Sequence, residues 1–112
     1  MRYLTITECV VPMGMRQEFV GAVQRWEKAA ADAEGIPEIH AVYLDADDPA
    51  KVLIVTQFGS RQEADKFVAT GLMQQFQQQL VDCTASVPNV SSYDLFYAWG
   101  PEGTRVVFGE DA

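Results

Sequence analysis

His40 is the only histidine in the chain, and so the only side chain whose ordinary pKa lies near neutrality. It is the candidate general base; the competing reading is a histidine at a sheet edge or a dimer contact. Cys9 and Cys83 are the only cysteines. They give no disulfide framework and, with a single histidine, no zinc site of about four ligands. They read as two buried free thiols, and no metal is expected. Asp45, Asp47 and Asp48 could suggest a cation loop, but the glycine and terminal bidentate Glu of an EF-hand are missing. A solvated turn is expected there. The sequence holds no G-x-S-x-G, no phosphate-binding glycine loop and no Cys–His spacing that supports a nucleophile. Hydrolase and nucleotide-binding readings have no residues to rest on.

Hydropathy periodicity assigns the elements around these residues. Residues 3–11 alternate, Leu4 and Ile6 against Tyr3, Thr5 and Thr7, which is the period of a strand. Past Pro12 and Gly14 the period becomes helical. Met15, Phe19, Ala22, Val23, Trp26, Ala30 and Ala33 form one stripe of an amphipathic helix of about five turns, stopped by Gly35 and Pro37. Strands are expected at 38–44 and 51–58, joined through the turn Asp45–Pro49 as a hairpin. Ser60 followed by Glu63 is a capping box that opens the next helix, with Ala64, Phe67 and Val68 inward. Gly71 breaks that helix, and Leu72, Phe76 and Leu80 restart the stripe, with glutamines 74, 75, 77, 78 and 79 as its exposed face. Residues 91–99 alternate as one more strand, placing Tyr93, Leu95, Tyr97 and Trp99 on one side. A turn at Gly100–Gly103 leads to a short strand near 105–108, and 109–112 read as a frayed tail. The order β-α-β-β-α-β with an added hairpin strand specifies an α+β, ferredoxin-like split-βαβ domain over 3–108, an antiparallel sheet with helices on one face.

A length of 112 residues suits one domain, and 48% apolar with 21% charged residues is ordinary for a globular chain. The formal charge of −8 repels phosphate backbones and anionic lipid, so neither nucleic acid nor a membrane surface is an expected partner. No apolar run reaches the roughly 18–20 residues of a membrane span, and the N-terminus lacks the apolar core of a signal peptide, so a cytoplasmic location is expected. The helices can cover only one sheet face, yet Val52-Leu53-Ile54-Val55 is apolar on both faces, and Leu4, Ile6 and Val10 lie opposite the Tyr/Thr side. That face predicts a homodimer packed sheet against sheet.

The strand end Val10-Val11-Pro12-x-Gly14, the Gly35-Ile36 opening and Phe58-Gly59-Ser60 with Ala64 resemble the antibiotic biosynthesis monooxygenase family of dimeric α+β barrels. The resemblance covers about residues 3–99. It implies a pocket between sheet and helices, and an activity that in some members is oxidation of polycyclic phenols by O₂ without a cofactor. The Asn and Trp that carry chemistry in the anthrone-oxidising members match Ile54 and Phe58. The Trp and axial His of the haem-degrading members match Phe67 and Phe76, and their first-strand Asn matches Thr7. No cofactor is expected.

With Thr7 and Ile54 so matched, the helix-facing side of the sheet carries Thr5, Thr7, Val52, Ile54, Thr56 and Phe58, with Trp26, Phe67 and Phe76 facing it. These residues form either an aromatic cavity for a flat apolar ligand or simply the core. The even numbering that His40 shares with Val42 and Leu44 puts it on the same side. The resulting expectation is a cofactor-independent monooxygenase acting on an aromatic or quinol-like molecule, with His40 as base and threonine hydroxyls orienting the substrate. The alternatives are a non-catalytic dimeric binding or accessory protein and a cofactor-free isomerase or cyclase of the same barrel type.

Overall fold

The computed structural model describes residues 2–33 and 36–101, and the backbone of 103–107. The elements run β1 (Tyr3–Val10), a 3₁₀ turn (Met13–Met15), α1 (Arg16–Ala30), β2 (Ile39–Leu44), β3 (Lys51–Phe58), α2 (Arg61–Ala69), α3 (Leu72–Val81), β4 (Asn89–Asp94), β5 (Tyr97–Gly100) and β6 (Gly103–Val107). β1 to β4 form one antiparallel sheet in the order β2-β3-β1-β4, and β5 pairs with β6 in a separate ladder. The split-βαβ topology is the one the periodicity specifies: α1 links β1 to β2 and α2–α3 link β3 to β4, pairs that are consecutive in the chain but not neighbours in the sheet.

Helix boundaries follow from local chemistry. Ser60 is extended, and its Oγ accepts a hydrogen bond from the Glu63 backbone N–H at 3.1 Å, satisfying an otherwise orphaned donor at the start of α2. Gly71 has φ +80°, a left-handed conformation that separates α2 from α3. A Cβ built at Gly71 meets nothing within 4 Å, so only backbone conformation opposes a side chain there. Gly71→Ala is therefore expected to lower stability by about 1–2 kcal/mol and Gly71→Asn by less, measured as a drop in the urea midpoint at constant slope.

Several boundaries differ from the sequence reading. α1 is shorter than expected, because Met13–Met15 winds as a 3₁₀ turn and Ala33 lies past its end, with its N–H donating to Ala30 O. The expected stop at Gly35 lies outside the described residues, as do Phe108 and the tail 109–112. Val68 is exposed rather than part of the inward stripe of α2, which consists of Ala64 and Phe67. The strand expected over 91–99 is two strands. β1 supplies a partner only as far as Tyr3, which pairs with Asp94, and the Leu95 N–H makes the last link to Arg2 O. Beyond that point no strand neighbours the segment among the described residues, and 97–100 pairs with 103–107 instead. Gly103, expected in the turn, begins β6.

The sheet has two unlike faces. Even-numbered residues of β3 (Val52, Ile54, Thr56, Phe58) and odd-numbered residues of β1 (Thr7, Cys9) are buried beneath α1, α2 and α3. On the opposite face, cross-strand rows place Ile6 beside Val55 and Leu4 beside Tyr93, with Leu53 beside Tyr43. Leu4, Ile6, Leu53 and Val55 are only half-buried, and Ile39, Tyr43 and Tyr93 are exposed. No helix of the described chain is long and apolar enough to cross a membrane.

Candidate functional site

The register brings the candidate residues into two rows on the helix-facing side. His40 pairs with Thr56, Thr56 with Thr5, and Thr5 with Ser92, which makes a polar row across all four strands. The next row is Val42, Ile54, Thr7 and Val90. Period-two geometry is sufficient to align them, since each residue is two positions from its neighbour on the same face.

Aromatic rings from the helices close over these rows. Trp26 of α1 stacks on His40 with ring centroids 3.9 Å apart and planes inclined by 27°. Phe67 of α2 and Phe76 of α3 each lie 5.7 Å from Trp26. Phe76 also meets His40 edge-on at 6.1 Å, and Phe58 lies 5.8 Å from Phe67. Tilted and edge contacts at these separations are favourable for aromatic pairs. All nine residues singled out in the sequence therefore belong to one layer: His40, Thr5, Thr7, Trp26, Ile54, Thr56, Phe58, Phe67 and Phe76.

The layer is occupied by its own side chains. Ile54 is 1% exposed, Phe58 2% and Phe67 0%, so the open aromatic cavity among the expectations is filled here by packed rings. What breaks the apolar packing is a set of polar atoms without partners. Thr5 Oγ1, Trp26 Nε1 and both ring nitrogens of His40 are buried and make no hydrogen bond. Each such group costs about 1–3 kcal/mol relative to a satisfied one, and a cluster of them is unusual for a purely structural core. Burial among the rings also pushes the His40 pKa down from 6.5 to about 4, because the imidazolium would lose its hydration with no acid beside it. The ring is therefore neutral at pH 7.

Gln79 is a residue that the sequence reading missed. Its Oε1 is buried and unpartnered, although the glutamine run reads as an exposed face. It follows Phe76 by three residues, a spacing that turns its side chain toward the same flank of α3. Gln79, Trp26, Phe76, Ala29 and Leu72 are among the residues that line a cleft of about 90 Å³ between α1 and α3. A larger concavity, about 490 Å³, lies at the other side of the molecule, around Val10, Tyr43, Leu53 and Val87, away from His40.

The remaining candidates behave as structural residues. Asp45 Oδ2 accepts from the backbone N–H of Asp47 and of Asp48, so the acidic run is a self-capped turn. Cys9 and Cys83 are buried free thiols. Burial and the neighbouring Cys83 push the Cys9 thiol up to about 11, which leaves it protonated and unreactive at neutral pH. Among the described residues no group of three or more His, Cys, Asp or Glu side chains could hold a metal ion.

No protein-family model matches the sequence, and no curated protein matches it. Solved structures do. A Nitrosomonas europaea protein provisionally named an antibiotic biosynthesis monooxygenase superposes with a TM-score of 0.70 at 19% identity, covering 88% of this chain and 94% of that one. This is the fold of the antibiotic biosynthesis monooxygenases. A Mycobacterium tuberculosis protein gives a TM-score of 0.72 at 11% identity over 89% of this chain and all of that one. A conserved protein from Methanosarcina mazei gives 0.71 at 14% identity, covering 82% of this chain and 90% of that one. The antibiotic biosynthesis monooxygenase fold implied by the residues around Pro12, Gly59 and Ser60 is therefore the fold observed, at identities that fix architecture rather than chemistry.

Proposed function

We propose that the chain is a homodimeric, cofactor-independent monooxygenase for an aromatic or quinol-like molecule, bound in the sheet–helix layer around His40. The observation that carries this reading is the unpartnered polar set inside the aromatic layer: Thr5 Oγ1, Trp26 Nε1 and the two nitrogens of His40. A flat phenolic ligand offers both a ring face and an oxygen, and so fits this combination of stacking surface and orphaned polar atoms. Admission of the ligand requires Trp26 and Phe76 to part along the α1–α3 cleft.

In this mechanism neutral His40 takes a proton from the substrate, giving an electron-rich phenolate or carbanion. That anion transfers an electron to O₂, the radical pair collapses to a carbon-bound peroxide anion, and His40 returns its proton to give the hydroperoxide. Loss of water then leaves a carbonyl: one oxygen atom stays on the substrate, and the other departs as water with the proton returned through His40 and the hydrogen remaining on the oxidised carbon. The hydroxyls of Thr56, beside His40, and of Thr5, next along the same row, orient the substrate oxygen. The homodimer is supported by the unlike faces of the sheet. Leu4, Ile6, Leu53 and Val55 form an apolar centre that a second copy would cover.

The second reading, binding without turnover, draws on the closed packing of Ile54, Phe58 and Phe67. Dissolved-oxygen uptake with anthrones, naphthols and hydroquinones separates the two. The expected result is uptake proportional to protein, reduced about 10²-fold or more in His40→Ala. Uptake unchanged in that variant removes His40 from the mechanism. Absence of uptake, with the same compounds quenching Trp26 emission in a Trp99→Phe background, would leave the binding reading instead.

A further inference from the structure

Two of the unpartnered polar atoms belong to residues of the α1–α3 cleft. Trp26 Nε1 and Gln79 Oε1 are both buried without a hydrogen bond, and both residues line the 90 Å³ space. Trp26 is 5% exposed, and its ring is stacked on His40 at 3.9 Å. Gln79 lies about one helical turn beyond Phe76, whose ring meets both Trp26 and His40. An apolar side chain at 79 would fill the same flank of α3 without leaving an acceptor unsatisfied.

The size of the cleft limits what it can take. A whole small-molecule site has roughly 300–1,000 Å³, so 90 Å³ accommodates only one edge of a ligand. The remainder of that ligand has to lie in the aromatic layer, to which Trp26 and Phe76 also belong.

The two atoms select the chemistry of that edge. An indole N–H only donates, and an amide oxygen only accepts. A hydroxyl is the smallest group that satisfies both: its oxygen accepts from Trp26 Nε1, and its hydrogen goes to Gln79 Oε1. A carbonyl or ether oxygen would leave Gln79 unsatisfied, and an ammonium group would leave Trp26 so. Arg25 is the charged residue in the lining, and no carboxylate joins it among the described residues. In a chain of formal charge −8, the cleft is thus a place where an electron-rich phenolic oxygen meets no acidic neighbour.

We propose that Trp26 Nε1 and Gln79 Oε1 form a specificity subsite for a second hydroxyl, at the end of the substrate away from the reacting oxygen. The preferred substrate is then a flat diol with one oxygen in the His40–Thr56–Thr5 row and the other between α1 and α3. This rests on the substrate site proposed above, and it gives Gln79 a role in choosing the substrate.

Calorimetric titration without oxygen tests the subsite apart from turnover, using 2-naphthol, 6-methoxy-2-naphthol and 2,6-dihydroxynaphthalene. Wild-type protein should bind the diol about tenfold more tightly than either of the others, since the methoxy oxygen has no hydrogen to give Gln79. In Gln79→Met, which keeps the side chain's length and removes the amide, the preference should fall to within about twofold. If that variant does not fold, the comparison of the diol with the methoxy compound in wild type carries the test. Equal affinities for all three compounds, or a preference that survives Gln79→Met, overturn the subsite and leave the aromatic site standing. Binding of none of the three overturns both.

Discussion

Phe67→Ala is expected to cost about 3–5 kcal/mol of folding stability, a third or more of what a domain of this size usually has. Phe67 is 0% exposed and its ring lies 5.7 Å from Trp26 and 5.8 Å from Phe58, so it joins α2 to both α1 and β3. α2 has nine residues, too few to persist as a helix without such an anchor. Its other buried residue, Ala64, contributes little area by comparison. Truncation removes the ring's transfer free energy and leaves a hole that the neighbouring rings of Trp26 and Phe58 can fill only in part. Urea unfolding should show the loss as a lower midpoint with unchanged slope, and Phe67→Leu should lose roughly 1–2 kcal/mol. A loss under about 1 kcal/mol for the alanine variant would mean that the layer collapses readily. That outcome would also bear on function, since a layer that closes over a missing ring could open for an arriving one.

The sheet and the aromatic layer were legible because both depend on short-range periodicity. Thr7 opposite Ile54 and His40 beside Thr56 follow once three strands have the right face and order. The helix break at Gly71 and the cap at Ser60 were legible for a similar reason: each rests on the conformational chemistry of one residue. What escaped depends on partners distant in sequence. The alternation of 91–99 is a valid strand pattern throughout, and only the end of β1 at Tyr3 decides that pairing stops at Asp94. Val68 and Gln79 were placed on the wrong sides because stripe width was judged from residue type. Gln79 occupies an inward spacing despite being polar, and Val68 an outward one despite being apolar. Composition likewise does not tell an aromatic cavity from an aromatic core. The same five residue types serve for both, and ring-to-ring distance decides.

Wild-type protein should lose about 1 kcal/mol more stability between pH 7 and pH 4.5 than His40→Phe does, the half-buried ring being partly screened by solvent. The sign follows from the depressed pKa. In the unfolded chain His40 takes up its proton near 6.5, whereas in the fold it resists protonation down to about 4, because desolvation between Trp26 and Phe76 penalises the charged ring. The unfolded state therefore binds more protons across that window. Its contribution to stability is fully present above 6.5 and is lost as pH falls from there through about 4. Phenylalanine keeps the stacking surface against Trp26 and removes the titration, so the difference between the two proteins isolates His40 from the many carboxylates. Equal losses in both would mean that water reaches the imidazole and solvates its charged form. The same burial shapes the proposed chemistry. A base that stays neutral to about pH 4 gives a rate that is flat through neutrality and falls only in acid, whereas a solvated histidine would bend the profile near 6.5. Its conjugate acid is strong and poorly solvated. A proton taken from the substrate would therefore be held at His40 only while a substrate anion lies beside it, which couples proton removal to the electron transfer that follows.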